Sequence, residues 1–330
     1  MKRKTMLTTN LVLILALTVL VLGLAVTAFY LIRHSQPGGT IKVSEGYVQV
    51  DGGKVWYEVT GKGLKTPLVL LHGGPGAPGY YLEPMKALGE DRKLVFYHQL
   101  GCGKSDRISD TSLMTVDHYV EELRTVITSL GLTRYYLYGQ SWGSMLGMEY
   151  YLRYPEGIRG LLFSSPCLST SQWLADTQQL IETLPDAERK AIQTCEVNKV
   201  YDDPAYLQAV RAFYERFVAR KKPWSPEVET TFTQMGSNYA YMWGPSEFSA
   251  TGELASYDRR DALSTINVPT LFIGGEFDEA TPSTVKAYAA SVQGAEVAII
   301  SGAAHLTMQD APLENNQVIK DFLHKLDRND

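Results

Sequence analysis

Gly139-Gln140-Ser141-Trp142-Gly143 holds a serine between two glycines, with the apolar run Tyr135-Tyr136-Leu137-Tyr138 before it and a helical pattern after it. A serine hydroxyl is a poor nucleophile at neutral pH. It attacks a carbonyl only when a histidine takes its proton, usually with a carboxylate orienting that histidine. Asp278 and His305 are placed for these tasks. Each follows a short apolar run, Thr270-Leu271-Phe272-Ile273 for the aspartate and Val297-Ala298-Ile299-Ile300 for the histidine. Glu276 and Glu279 stand beside Asp278, whose shorter side chain in a strand-to-helix turn suits the orienting role better. Acyl transfer also needs N–H donors for the oxyanion. The amide of Trp142 is one. Another can come from His72-Gly73-Gly74-Pro75-Gly76, directly after Leu68-Val69-Leu70-Leu71, where the glycines let the main chain approach a substrate closely. That loop lacks the Gly-Lys-Ser/Thr ending and the Gly-x-Gly-x-x-Gly spacing of phosphate cradles.

These residues must be positioned by a sheet. Downstream of Ser141, Met145, Leu146, Met148, Glu149, Tyr150 and Leu152 read as a helix that stops at Tyr154-Pro155, so strand, sharp turn and helix follow in order. Such a turn strains the serine backbone and lifts its hydroxyl above the sheet, and the flanking glycines prevent side-chain collisions. Asp51-Gly52-Gly53 between Tyr47-Val48-Gln49-Val50 and residues 54–60 reads as a hairpin. Leu94-Val95-Phe96-Tyr97 and Leu161-Leu162-Phe163 join the apolar runs above as strands buried on both faces, with helical patterns such as 116–130 between several of them. The order Ser141, Asp278, His305, each after a strand, predicts an α/β-hydrolase fold: a mostly parallel sheet with helices on both faces. From 169 to 260 the pattern changes to charged and aromatic helical stretches, which predicts a cap over the carboxyl ends of the strands. The core then divides into 46–168 and 261–330.

Composition bounds the rest. The chain has 330 residues, 45% hydrophobic and 20% charged, with a formal net charge of −5, and no long basic run appears beyond the extreme N-terminus. Disorder and nucleic-acid partners are excluded as defaults. Lys2, Arg3 and Lys4 lie in a basic stretch at 1–10 that precedes an uncharged apolar segment at 11–32, and Arg33 opens a linker at 33–45. The segment is long enough to cross a bilayer as one helix, and the basic flank predicts a cytoplasmic N-terminus with the remaining chain outside. The expectation is therefore a membrane-anchored, extracytoplasmic catalytic domain. Val26-Thr27-Ala28 allows the alternative of a cleaved signal and a secreted protein. Cys102, Cys167 and Cys195 are too few and too irregular for a disulfide framework or zinc site, although a single Cys167–Cys195 bridge stays open. The six histidines show no metal-binding pairing, and the expectation is no metal and no cofactor.

Several motifs are more restrictive than Gly-x-Ser-x-Gly. They are His72-Gly73-Gly74-Pro75-Gly76, Gln99-Leu100-Gly101-Cys102-Gly103-Lys104-Ser105, Trp243-Gly244-Pro245-Ser246-Glu247-Phe248, Gly275-Glu276-Phe277-Asp278-Glu279-Ala280-Thr281-Pro282 and His305-Leu306-Thr307-Met308. With the serine pentapeptide they resemble the proline iminopeptidase family of serine aminopeptidases, in particular the branch of the tricorn-associated archaeal aminopeptidase factor. The resemblance covers roughly 47–326. It implies Ser141, Asp278 and His305 as the triad, Gly74 and Trp142 as the oxyanion donors, and Glu247 and Glu279 as carboxylates that bind the free α-amino group of a substrate. Two carboxylates around an ammonium form charge-assisted hydrogen bonds and set how far the chain extends past the scissile bond. The implied substrates are short peptides or amino-acid amides with a free N-terminus, cleaved one residue at a time with a preference for proline. A carboxylesterase or amidase, and a non-catalytic ligand-binding member of the fold, are the alternatives. One departure is His98, where the family usually has Asp before the Gln of Gln-x-Gly-Cys-Gly. Trp224, Tyr239, Tyr241 and Trp243 are equally readable as pocket wall or as cap core.

Overall fold

A computed structural model describes residues 42–328. The basic stretch at 1–10, the apolar segment at 11–32 and most of the linker at 33–45 lie outside the described residues. Among the described residues no helix is long and apolar enough to cross a membrane, so the expected membrane helix finds no support there.

The hairpin comes first. β1 (Ser44–Val50) and β2 (Gly53–Thr60) pair antiparallel from Val50↔Gly53 back to Ser44↔Val59, and Gly52 turns between them at φ 81°. Pairing in that register carries β1 back into the stretch read as linker. β3 (Lys65–Leu71), β4 (Arg92–Tyr97), β5 (Tyr135–Gln140), β6 (Ile158–Ser164), β7 (Thr270–Gly275) and β8 (Glu296–Ile300) complete one eight-stranded sheet of order β1-β2-β4-β3-β5-β6-β7-β8. From β4 through β8 every pair is parallel, whereas β1–β2 and β2–β4 are antiparallel. The mostly parallel sheet agrees with the pattern of buried runs.

Period-2 alternation sends adjacent residues to opposite layers. Val69, Leu71, Tyr135 and Leu137 join one apolar cluster, while Leu68, Leu70, Tyr136 and Tyr138 join another. Each fully buried Leu or Val contributes roughly 1.5–3 kcal/mol relative to exposure. β8 departs from the expectation of burial on both faces. Only Ile300 is buried and Val297 is 45% exposed, because β8 is the last strand in the sheet order. An apolar run does not reveal that its strand lies at an edge.

Helix α1 (Val116–Ser129) buries Tyr119, Val120, Leu123, Val126 and Ile127 at helical spacing, and Thr115 Oγ1 caps it by accepting from the His118 amide at 3.2 Å. Helix α2 (Trp142–Arg153) follows β5 directly and is buried on nearly every side. Between β6 and β7 the chain folds as α3 (Thr170–Ile181), α4 (Asp186–Asn198), α5 (Pro204–Phe217), α6 (Pro226–Thr233) and α7 (Asn238–Met242). Ile181, Leu184, Ile192, Ala209, Phe213 and Phe217 form an apolar cluster of this insertion's own. An isolated bridge between Ser169 and Asp258 ties its two ends together. The fold closes with α8 (Pro282–Ala290), α9 (Thr307–Asp310) and α10 (Pro312–Asp327).

All three cysteines are free, so the Cys167–Cys195 bridge is not formed. Asp91, His324 and Asp327 gather their ligand atoms within 4.8 Å, but Lys65 pairs with Asp91 at 2.9 Å and Arg92 with Asp327 at 2.6 Å. The protein's own cations neutralise that cluster.

Candidate active site

Ser141 sits where β5 ends and α2 begins, at φ 54° and ψ −122°. A non-glycine residue in such a region costs on the order of 1–3 kcal/mol, which the surrounding packing must offset. Both flanking glycines are sterically required. A Cβ on Gly139 would lie 2.2 Å from Gly143 O, and one on Gly143 would lie 2.3 Å from Leu71 O. The turn brings Ser141 against the loop after β3. There the Gly73 amide donates to Tyr81 Oη at 2.7 Å, and Tyr81 Oη donates to Gln140 Oε1 at 2.6 Å. With Gly73 thus engaged, Gly74 is the next amide along the same wall as Ser141.

Asp278 is fully buried in the turn after β7, where Oδ2 accepts from the Gly275 amide at 3.1 Å and Oδ1 from the Ala280 amide at 2.9 Å. Oδ1 also lies 2.9 Å from His305 Nδ1. This contact makes Nδ1 the protonated nitrogen and leaves Nε2 able to accept a proton. The histidine backbone is held from several directions. His305 N–H donates to Phe217 O at 3.1 Å, Ser165 Oγ donates to His305 O at 2.8 Å, and Leu306 N–H donates to Val218 O at 2.8 Å. Trp173 packs its ring edge to face with His305 at 5.4 Å.

Ser141, His305, Glu247 and Glu279 line one cavity of about 200 Å³. Glu247 reaches it from the inserted segment, with Oε1 accepting from Trp173 Nε1 at 3.1 Å and Oε2 from Tyr239 Oη at 2.9 Å. Glu279 is 2% exposed, with Oε1 3.6 Å from His305 Nε2 and Oε2 without a hydrogen-bond partner among the described residues. Burial raises the pKa of Glu247, while Tyr239, His305 and Trp173 oppose the shift. Glu279 is raised well above the ordinary carboxylate value by burial first, then by Glu247 and Asp278. A cation entering between the two would lower both pKa values. A second, smaller cavity of about 10 Å³ also borders Ser141, Gly74 and Glu247; Met145, Cys167, Trp173, Trp243 and Leu254 form its walls.

The remaining histidines of this region are structural. His72 is fully buried; its Nδ1 donates to Gly73 O at 2.9 Å, Nε2 accepts from the Gln99 amide at 3.0 Å, and burial lowers its pKa to about 4. His98 is 2% exposed, and its Nδ1 accepts from the Lys104 amide at 3.1 Å while its ring packs against Trp56 and Tyr80. Burial, then His72 and Lys104, depress its pKa, so the neutral imidazole supplies the acceptor for the Lys104 amide. Gln99 in turn accepts from Trp142 Nε1 at 2.8 Å, tying this loop to the residue after the serine. Of the four aromatics read two ways, Trp243 and Tyr239 line the cavities, Trp224 is buried in the apolar layer that holds Leu68 and Tyr136, and Tyr241 is 44% exposed.

Tyr81, Gln140, Trp173, Ser165 and Asp310 contact the site or its loops, and the sequence reading missed all five. Gln140 sits inside the pentapeptide and had a signal available there. Tyr81, Trp173, Ser165 and Asp310 carry none, because each has a partner distant in the chain: Gln140, Glu247, His305 and Arg220, respectively.

The alpha/beta hydrolase fold family matches residues 66–312. The chain is 38% identical over 286 residues to the proline iminopeptidase of Heyndrickxia coagulans, covering 86% of this chain and 99% of that protein. Against the proline iminopeptidase of Saccharolobus solfataricus it is 34% identical over 294 residues, covering 88% and 95%. The crystal structure of a proline iminopeptidase from Mycobacterium smegmatis matches with a TM-score of 0.81 at 33% identity, covering 86% of this chain and 99% of that one.

Proposed function

The chain belongs to the proline iminopeptidase family of α/β-hydrolases, and from that membership we propose that it is a serine aminopeptidase that releases an N-terminal residue, preferentially proline, from short peptides. His305 Nε2 takes the proton of Ser141 Oγ as the oxygen attacks the first peptide carbonyl, and Asp278 stabilises the imidazolium that results. The Gly74 and Trp142 amides receive the oxyanion. On collapse, His305 returns the proton to the departing amine, leaving an acyl-enzyme. Water, deprotonated by the same histidine, then releases the amino acid. The helical insertion serves as the cap that carries Glu247 to the site.

The observation that carries this reading is that Glu279, a buried glutamate with one oxygen unpartnered among the described residues, lines the same cavity as Glu247 and Ser141. Two carboxylates without a cation of their own, beside a nucleophile, fit the ammonium of a free N-terminus. An esterase has no use for them. The smaller cavity leaves little free space beside Ser141.

Steady-state assays on prolyl, alanyl and N-blocked prolyl arylamides test this. Free substrates should be cleaved at least a hundredfold faster than blocked ones, and Glu279→Gln or Glu247→Gln should lower kcat/KM on free substrates by roughly 10- to 100-fold. Equal cleavage of blocked and free substrates would sink the amine-binding role. For location, the reading is an anchor at 11–32 with the catalytic domain extracytoplasmic, supported by Lys2, Arg3 and Lys4 before the apolar segment.

A further inference from the structure

Carboxyl groups stand at both ring nitrogens of His305. Asp278 Oδ1 lies 2.9 Å from Nδ1, and Glu279 Oε1 lies 3.6 Å from Nε2, the nitrogen that must take the Ser141 proton. Glu279 and His305 are both buried, and both line the cavity that Ser141 lines. The titratable groups around Glu279 come from several elements: Asp278 beside it, Glu247 and Tyr239 of the insertion, Tyr214 of α5, Cys167 after β6, and His305 itself. Among the described residues no lysine or arginine lines the cavity.

Three carboxyl groups thus surround one imidazole with no side-chain cation to balance them. Carboxylates that share such a site do not all ionise together, so the cluster retains a proton. Asp278 already accepts from the Gly275 and Ala280 amides, and Glu247 from Trp173 and Tyr239. Glu279 Oε2 has no partner among the described residues, and a shift of about 0.5 Å brings Oε1 within hydrogen-bond distance of Nε2. Burial first, then Glu247 and Asp278, raise the Glu279 pKa and favour a proton there. We propose that in the free enzyme Glu279 and His305 share one proton between Oε1 and Nε2, and that the substrate's ammonium expels it on binding, so that a free amine arms the base as well as anchoring the substrate. The proposal deepens the aminopeptidase reading above and rests on it. Whether the proton sits on the carboxyl or on the imidazole, the Nε2 lone pair is engaged and Ser141 Oγ keeps its hydrogen. Pairing of the ammonium with Glu279 favours the carboxylate. The shared proton then passes to solvent, and Nε2 is left with a lone pair for the Ser141 proton. Blocked peptides and esters without an amine leave the proton in place.

Calorimetry of prolinamide binding to the Ser141→Ala enzyme, in buffers of different ionisation enthalpy, counts the protons exchanged. Near neutral pH, binding should release roughly one proton, affinity should rise from mildly acidic to neutral pH, and Glu279→Gln in the same background should reduce the release to about zero. A second measurement needs no amine: with Ser141 intact, Glu279→Ala should hydrolyse p-nitrophenyl acetate roughly tenfold faster than the parent, because nothing then engages Nε2. A purely structural glutamate would give an unchanged or lower rate, and that result overturns the inference. Binding without proton release, or release undiminished by Glu279→Gln, also overturns it, while cleavage of prolinamide by the parent leaves the aminopeptidase reading standing. If the parent cleaves neither prolinamide nor prolyl arylamide, the aminopeptidase reading falls and this inference with it.

Discussion

Glu279 shows at the scale of one residue how function and stability oppose each other. A buried carboxyl oxygen without a partner costs on the order of 1–3 kcal/mol, and Glu279 Oε2 is such an atom. Its pKa is raised in the folded protein by burial, Glu247 and Asp278, above the ordinary 4.5. The folded state therefore holds this proton more tightly than the unfolded chain. Stability from this group is greatest below pH 4.5 and is lost as pH rises toward the raised value. Glu279→Gln should accordingly change the melting temperature little near pH 4 and raise it at pH 8 while activity on free-amine substrates falls. Thermal melts at the two pH values check it, and a variant less stable at pH 8 than at pH 4 relative to the parent would contradict the account. Glu122 offers a comparison away from the cavity, since burial lifts it to about 8 although the Leu100 amide at 3.0 Å opposes the shift.

At the scale of elements, the inserted helices and the histidine loop behave as one unit. The chain leaving α5 accepts hydrogen bonds from the His305 and Leu306 amides through Phe217 O and Val218 O. Asp310, at the end of α9, locks the same junction. Its Oδ1 accepts from the Arg220 and Lys221 amides at 2.8 Å each, and its Oδ2 accepts from the Ala304 amide at 2.9 Å. Asp310 is thus a positioning residue: it touches no substrate, yet it holds the residue before His305 against the insertion. Asp310→Asn turns one acceptor into a donor facing N–H groups, and misplacement of a base by about 1 Å can cost ~100-fold in rate. The expected result is a kcat lower by roughly 10- to 100-fold with a smaller change in KM and a displaced acidic limb of the kcat/KM profile. Loss of melting temperature with kcat and the pH profile intact would show a structural role only.

For the whole molecule, the sheet from β1 to β8, its covering helices and the insertion all lie within residues 42–328. Deleting residues 1–40 should leave kcat/KM within about twofold of the full chain, because every residue assigned to the site lies within 42–328. It should also move the protein from the membrane to the soluble fraction, which fractionation and activity assays measure together. A full chain found only in the soluble fraction would refute the anchor. The amino-acid order by itself determined the strands β3 to β7, the turn at Ser141 and the succession Ser141, Asp278, His305. Apolar runs, glycines and caps are local signals carried by neighbouring residues. Glu247 and Glu279 were legible only through resemblance to a family, since a glutamate in a loop has no local mark of its role. The edge position of β8 and the supports of the histidine were decided by tertiary structure. Ser165 Oγ reaches His305 O across 140 positions and Gln309 Nε2 reaches Tyr81 O across 228. No periodicity in the chain encodes contacts of that separation; they exist only once packing of the two apolar layers has brought the strand ends together.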